Sequence, residues 1–197
     1  MKTTILGISL FAVLTFVAFK TDKTVTYKAD TKKSTVVWTG KKVTGEHKGT
    51  VPLSSGSILT EDKKIKSGTF EINMAGLTVT DITDKDGNAK LVGHLKSNDF
   101  FSTDKFPTAT YVITSVDSKG GDSYTVNGNL TIKGITNPVS FPATIKVESK
   151  TLIATGTITV DRTKFDIKYK SSSFFDSLGD KAILDNFTLD VNLVAAI

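Results

Sequence analysis

Tyr124-Thr-Val-Asn-Gly-Asn-Leu-Thr-Ile-Lys133 alternates without a break. Tyr124, Val126, Gly128, Leu130 and Ile132 fall on one side of an extended chain, and Thr125, Asn127, Asn129, Thr131 and Lys133 on the other. A period of two sustained this long is the signature of a β-strand with one buried face. The same stripe returns at Val139, Phe141, Ala143, Ile145 and Val147, again at Leu152, Ala154, Gly156, Ile158 and Val160, and finally at Ile183, Phe187, Leu189, Val191 and Leu193. Short turns such as Lys119-Gly-Gly-Asp122 and Lys133-Gly-Ile-Thr-Asn-Pro138 join these runs, which predicts an antiparallel meander.

Working toward the N-terminus, a polar lead from Thr21 to Lys33 precedes a strand over Ser34 to Val43 that carries the only tryptophan, Trp38. A second strand is expected around His47 to Leu53, then a loop or bulge at Ser54-Ser-Gly-Ser57, then a half-buried strand from Gly68 to Met74. Between Leu77 and Ser102 the period changes. Asp84-Lys-Asp-Gly-Asn88 reads as a turn, and the spacing of Leu91 and Leu95 predicts one short helix near residues 88–97. The fold class is therefore all-β. About eight strands with one apolar face do best by closing into a single antiparallel barrel, which removes the sheet edges and turns the apolar face inward.

Three of the twelve phenylalanines, Phe100, Phe101 and Phe106, crowd together where the helix gives way to strands. Such a cluster is costly in water, so it must cap, line or close something apolar. The small inward residues Gly128, Ala143, Ala154 and Gly156 permit two readings. They either leave room for one slender ligand or make way for Trp38 and the phenylalanines.

The chain of 197 residues suits one domain. Residues 1–20 read as a secretory signal peptide or an uncleaved N-terminal anchor, because Lys2 is followed by an uncharged apolar run from Ile5 to Phe19. Residues 21–197 form the folded domain, and the expected location is outside the cytoplasm, either periplasmic or extracellular. The absence of cysteine excludes disulfides, thiolate metal sites and a cysteine nucleophile. The net charge is +5, yet the basic residues include a single arginine, Arg162. Scattered lysines protect strand surfaces and argue against nucleic-acid reading, while leaving a modest attraction to an anionic membrane surface.

Catalytic patterns are missing: there is no Gly-x-Ser-x-Gly, no Gly-rich phosphate loop before a helix and no His-Glu-x-x-His. Asp84-x-Asp86-Gly87 looks like a fragment of a calcium loop, but Ile82 and Gly93 occupy positions that need oxygen ligands. Asp185 falls in register with Ile183 and Phe187, so it is either a buried anchor paired to a lysine or backbone group, or a sign that the strand starts later.

Val36-Val-Trp-Thr-Gly40, His47-Lys-Gly49, Gly68-Thr-Phe-Glu-Ile-Asn-Met74, His94-Leu-Lys-Ser-Asn-Asp-Phe-Phe101 with Phe106-Pro-Thr-Ala-Thr110, and Val126 to Thr136 form one ordered series, continued by Gly156 to Asp166, Leu178-Gly-Asp180 and Leu184 to Asp190. In these segments the chain resembles the YceI-like family of exported lipid- or polyisoprenoid-binding proteins. The resemblance implies a lipocalin-like barrel with a helix near one end and an apolar tunnel for a long isoprenoid or fatty chain. It implies no reaction shared by the family.

The expected ligand-lining residues are Trp38, Phe70, Ile72, Leu130, Phe141, Phe187 and Leu189, with Phe100, Phe101 and Phe106 closing one end. Tail burial at about 0.8 kcal/mol per methylene would dominate affinity. A polar head would need one or two partners at the mouth, for which His47, His94, Arg162 and Lys168 are the candidates. For Arg162 the alternative is a structural salt bridge to Asp161, Asp166 or Asp180. For the histidines it is a hydrogen-bonded place at the barrel end. No metal or cofactor is expected. The partner is a lipid bound by a monomer or homodimer, with transient membrane contact. The rival functions are a lipid isomerase or hydrolase using the same cavity, and a filled structural or stress-response barrel without ligand.

Overall fold

The structure is a computed structural model that describes residues 23–197, so the segment read as a signal or anchor lies outside the described residues. The strands are β1 (Thr24–Ala29), β2 (Thr35–Lys42), β3 (Gly45–Thr50), β4 (Leu53–Glu61), β5 (Lys64–Asn73), β6 (Thr108–Gly120), β7 (Ser123–Ile132), β8 (Ile135–Val147), β9 (Thr151–Asp161) and β10 (Ile183–Ala196), and α1 spans Lys85–Lys96. From β4 to β10 the consecutive strands pair antiparallel as the alternation requires. β1 lies against β4 on one side and meets the end of β10 on the other, at Lys28↔Ala196 and Ala29↔Ala195. Eight strands thus close an antiparallel barrel.

The β2–β3 hairpin sits outside that simple meander. β2 pairs with the earlier part of β10, from Ile183↔Lys42 to Asn192↔Thr35, so β1 and β2 share one flank of the same long strand. The segment 77–81 then continues the wall beyond β3, with Thr78 N–H donating to Thr50 O at 2.9 Å and Thr80 N–H to Lys48 O at 2.9 Å. This strap turns the hairpin into part of the barrel end that α1 covers.

Three local expectations are corrected. The polar lead contains β1, whose Tyr27 is only 2% exposed and donates its hydroxyl to Glu148 O at 2.8 Å. The strand expected over His47 to Leu53 divides into β3 and β4; of the loop or bulge expected at Ser54–Ser57 it is the bulge that forms, a register shift between Leu53 and Ser55 inside β4. Gly56 explains why: a β-carbon there would stand 2.6 Å from the Phe70 ring, so the small residue serves packing rather than a loop. The helix starts three residues earlier than expected, because Asp84 is its N-cap and accepts from Gly87 N–H at 2.7 Å. Asn88 then donates to Val79 O at 2.9 Å and Ile82 O at 3.0 Å, tying α1 to the strap.

Candidate functional site

The inward stripes do not fill the barrel. Two chambers remain, of about 110 Å³ beside α1 and about 120 Å³ deeper in the barrel. Val36, Ile72, Leu130 and Leu189 line both, forming a shared waist. One water-sized group needs roughly 10–15 Å³ on this scale, so each chamber has room for several. The surface facing either space is wholly apolar. Such a space stays dry when empty and suits hydrocarbon.

Both sequence readings of the small residues hold in part. Gly128 and Gly156 are taken up by rings, since a β-carbon would lie 2.4 Å from Tyr111 or 3.2 Å from Phe141. Tyr111 reaches across to donate to Val139 O at 3.1 Å, and burial pushes its hydroxyl up to about 12. Space survives because Ala143, Ala154 and Gly156 still border the deep chamber.

Trp38, Phe100, Phe101 and Phe187 line the chamber beside α1, Phe70 and Phe141 the deep one, and Ile72, Leu130 and Leu189 both. Trp38 is fixed by its Nε1–H donating to Thr78 O at 2.9 Å. Phe101 stands edge-on to Phe187 with ring centroids 6.3 Å apart. Phe100 and Tyr169 flank the His94 ring at 5.0 and 4.7 Å, which joins the end of α1 to the loop after β9. Phe106 is the exception in the aromatic cluster: it lines neither chamber and lies against Gly134. Sequence reasoning passed over Val36, which shares a face with Trp38 by simple alternation, and Ala109 and Tyr111, whose strand it did not resolve.

The head-group candidates part company. His47 Nδ1 lies 2.8 Å from Asp81 Oδ2, and Lys48 N–H donates to the other oxygen at 3.1 Å, a lock between β3 and the strap that faces neither chamber. Burial raises the Asp81 carboxyl, but these two bonds outweigh it and hold the group below its ordinary value. His94 Nε2 lies 3.0 Å from Asp99. Lys168 pairs with Asp166 at 2.9 Å and covers the Phe174 ring at 5.1 Å, away from both chambers.

Arg162 alone of the four borders a chamber, the one beside α1, and it is 4% exposed. Its guanidinium donates to Leu184 O at 3.0 Å, Ile167 O at 2.7 Å, Ile183 O at 2.9 Å and Asp185 at 3.4 Å. The acid that meets it is thus Asp185 rather than Asp161, Asp166 or Asp180. Asp185 also accepts from Ser173 Oγ at 2.5 Å. Burial raises its carboxyl, and the Ser171 and Ser173 hydroxyls with Arg162 bring it below the ordinary range. With four of five N–H groups engaged inside the protein, Arg162 staples the start of β10 to the loop after β9.

Leu184 and Lys41 border the chamber beside α1, and Leu184 is 47% exposed, so the wall between this chamber and solvent is thin there. Among the described residues no three His, Asp or Glu side chains converge as a metal site.

The chain matches the YceI-like domain over residues 27–195. It is 34% identical over 84 residues to a UPF0312 protein of Shewanella oneidensis, covering 39% of this chain and 44% of the relative. A UPF0312 protein of Shewanella denitrificans is 35% identical over 88 residues, covering 45% of this chain and 44% of that one. The chain thus spans less than half the length of these curated relatives. Among solved structures, Burkholderia cenocepacia BcnA superimposes with a TM-score of 0.67 at 24% identity, covering 85% of this chain and 99% of its own. A polyisoprenoid binding domain from Saccharophagus degradans superimposes with a TM-score of 0.64 at 13% identity, covering 86% and 97%. At such identities the likeness establishes the fold.

Proposed function

Because the chain belongs to the YceI-like domain family, matched from residue 27 to residue 195, we propose that it is an exported carrier for an amphiphile with one long apolar tail. The observation that carries this reading is the pair of wholly apolar chambers meeting at the Val36, Ile72, Leu130 and Leu189 waist. A tail entering past Leu184 would run from one chamber into the other, each withdrawn methylene contributing about 0.8 kcal/mol before ordering costs. The polar head stays at the rim, where the Lys41 stem lines the opening and its ammonium is shared with Glu46 at 3.5 Å. A polyisoprenoid, an isoprenoid quinone or a fatty chain has the required shape. The Saccharophagus degradans domain of the same fold is described as polyisoprenoid binding, which favours the first.

Binding rather than catalysis is the better reading, since no polar atom is presented to either chamber to polarise a bond. Export is supported by the apolar run from Ile5 to Phe19 that precedes the barrel. Native mass spectrometry of protein taken from its own cells, paired with a titration of Trp38 fluorescence by polyprenyl phosphate and isoprenoid quinone, tests the reading. A retained lipid mass and a saturable Trp38 response are expected. A ligand-free spectrum with a silent Trp38 would leave a filled structural barrel in its place.

A further inference from the structure

The outer surface beside Leu184, which borders the chamber next to α1, carries several exposed apolar side chains. Phe174 and Phe175 are each 50% exposed, Leu184 is 47% and Val43 is 59%. Backbone and side-chain bonds bring them to one place. Ile183 N–H donates to Lys170 O at 2.9 Å, Ser173 Oγ to Asp185 at 2.5 Å, and Val43 N–H to Ala182 O at 3.2 Å. The loop bearing the two phenylalanines is thus folded back beside Leu184 and the end of the β2 hairpin. Two adjacent exposed phenylalanines on a loop pinned at both ends are not slack chain; they are displayed.

Lys41, Lys42, Lys168, Lys170 and Lys181 belong to the same segments, with Asp166, Asp176, Asp180 and Asp185 among them; Lys168 pairs with Asp166, Lys41 with Glu46, and Asp185 with the buried Arg162. Lys168 stands over the Phe174 ring at 5.1 Å and Lys170 over the Tyr169 ring at 5.3 Å. Two exposed phenylalanines, one of them under a lysine ammonium and with further lysines on the same segments, match the boundary of an anionic bilayer, where rings enter the headgroup region and lysines meet phosphate. A second copy of the chain fits less well, because it would bring the same lysines face to face.

We propose that this rim docks on a bilayer of anionic phospholipid, with Phe174 and Phe175 inserted and the chamber mouth at Leu184 held against the lipid. The inference rests on the carrier reading for its purpose, the passage of a tail between membrane and barrel, but docking can be read separately. Residues 23–197 contain every strand of the closed ring, so that segment is the one to float with vesicles, alongside the full chain. It should float with equal parts phosphatidylglycerol and phosphatidylcholine, be released by added salt, and stay behind with phosphatidylcholine alone.

F174S/F175S, two exposed positions whose loss should leave the melting temperature unchanged, should weaken flotation by about tenfold or more. K168Q/K170Q/K181Q should remove the preference for phosphatidylglycerol. Equal flotation of F174S/F175S and wild type would overturn the proposal. So would an apolar contact that proves to be self-association, seen as a wild-type dimer that F174S/F175S makes monomeric and that ignores vesicles. Protein that floats yet takes up no polyprenyl phosphate in buffer would keep the docking surface and remove the carrier.

Discussion

Gly49 and Thr78 lie so close that a β-carbon on Gly49 would stand 1.9 Å from the Thr78 carbonyl oxygen and 2.8 Å from Trp38 Nε1. The strap can lie on β3 only because residue 49 has no side chain. Gly49→Ala should therefore lift segment 77–81, break the Trp38 Nε1 to Thr78 O bond and open the chamber beside α1 to water. A loss of about 2–4 kcal/mol is expected, since backbone atoms cannot step aside as a flexible side chain can. Urea unfolding and the Trp38 emission maximum check it: the midpoint falls and the emission moves to longer wavelength. A change within about 0.5 kcal/mol, the range of an ordinary surface substitution, would mean the strap is seated by something else.

Arg162 separates a structural role from a head-group role. Arg162→Met leaves the carbonyls of Ile167, Ile183 and Leu184 without their donor and Asp185 without its cation. Breaking so buried a pair costs about 3–5 kcal/mol. Arg162→Lys should recover only part, because one ammonium cannot reproduce the planar fork. Chemical denaturation of both variants measures this. Unchanged stability with weaker binding of phosphate-headed lipids alone would instead make Arg162 the head-group ligand.

The legible parts of this fold are those where sequence and contact are local. The period of two runs unbroken through β7, β8 and β9, so their inward faces, and with them Leu130 and Phe141, follow from alternation alone. β1 was hidden because one side chain, Tyr27, is its only fully buried residue, and the acceptor that holds it, Glu148, lies 121 positions away. Phe106 parts from Phe100 and Phe101 in the structure because nearness in sequence says nothing of which side of the Ser102 turn a residue takes; Ser102 has a positive φ of 48°. Arg162 could be flagged by its solitude, but its carbonyl partners come from residues 167, 183 and 184, which no spacing reveals.

If a tail threads both chambers, filling the deep one should shorten the longest tail that binds. Of the two chambers Ala143 borders only the deep one, and it is 8% exposed. Ala143→Leu should displace two or three methylenes and weaken long polyprenyl ligands by roughly ten- to fiftyfold, at about 0.8 kcal/mol each. Short tails held beside α1 should be unaffected. Trp38 titrations across a series of tail lengths read the difference, and overpacking is expected to cost about 1–3 kcal/mol of stability. Equal weakening at every length would place the tail elsewhere.

Acid should loosen the α1 end of the barrel first. Asp185 and Asp81 are both held below the ordinary aspartate value: burial raises each, and it is outweighed by the hydroxyls of Ser171 and Ser173 with Arg162 for the former, and by His47 with Lys48 N–H for the latter. A carboxyl whose folded value is depressed adds stability above its unfolded value of about 4, and that contribution is lost as pH falls through the folded value. The melting temperature should be flat from neutrality down to about pH 5 and fall steeply below about pH 4. Asp185→Asn and Asp81→Asn should melt lower at neutral pH and show a shallower acid fall, the curves converging at the acid end where wild type has itself lost the charges. Because both carboxylates are partly open to solvent, at 26% and 22%, added salt should narrow the gap at neutral pH without closing it. Curves that stay parallel from neutral to acid would move the acid sensitivity to other carboxylates and leave the two pairs with a purely geometric role.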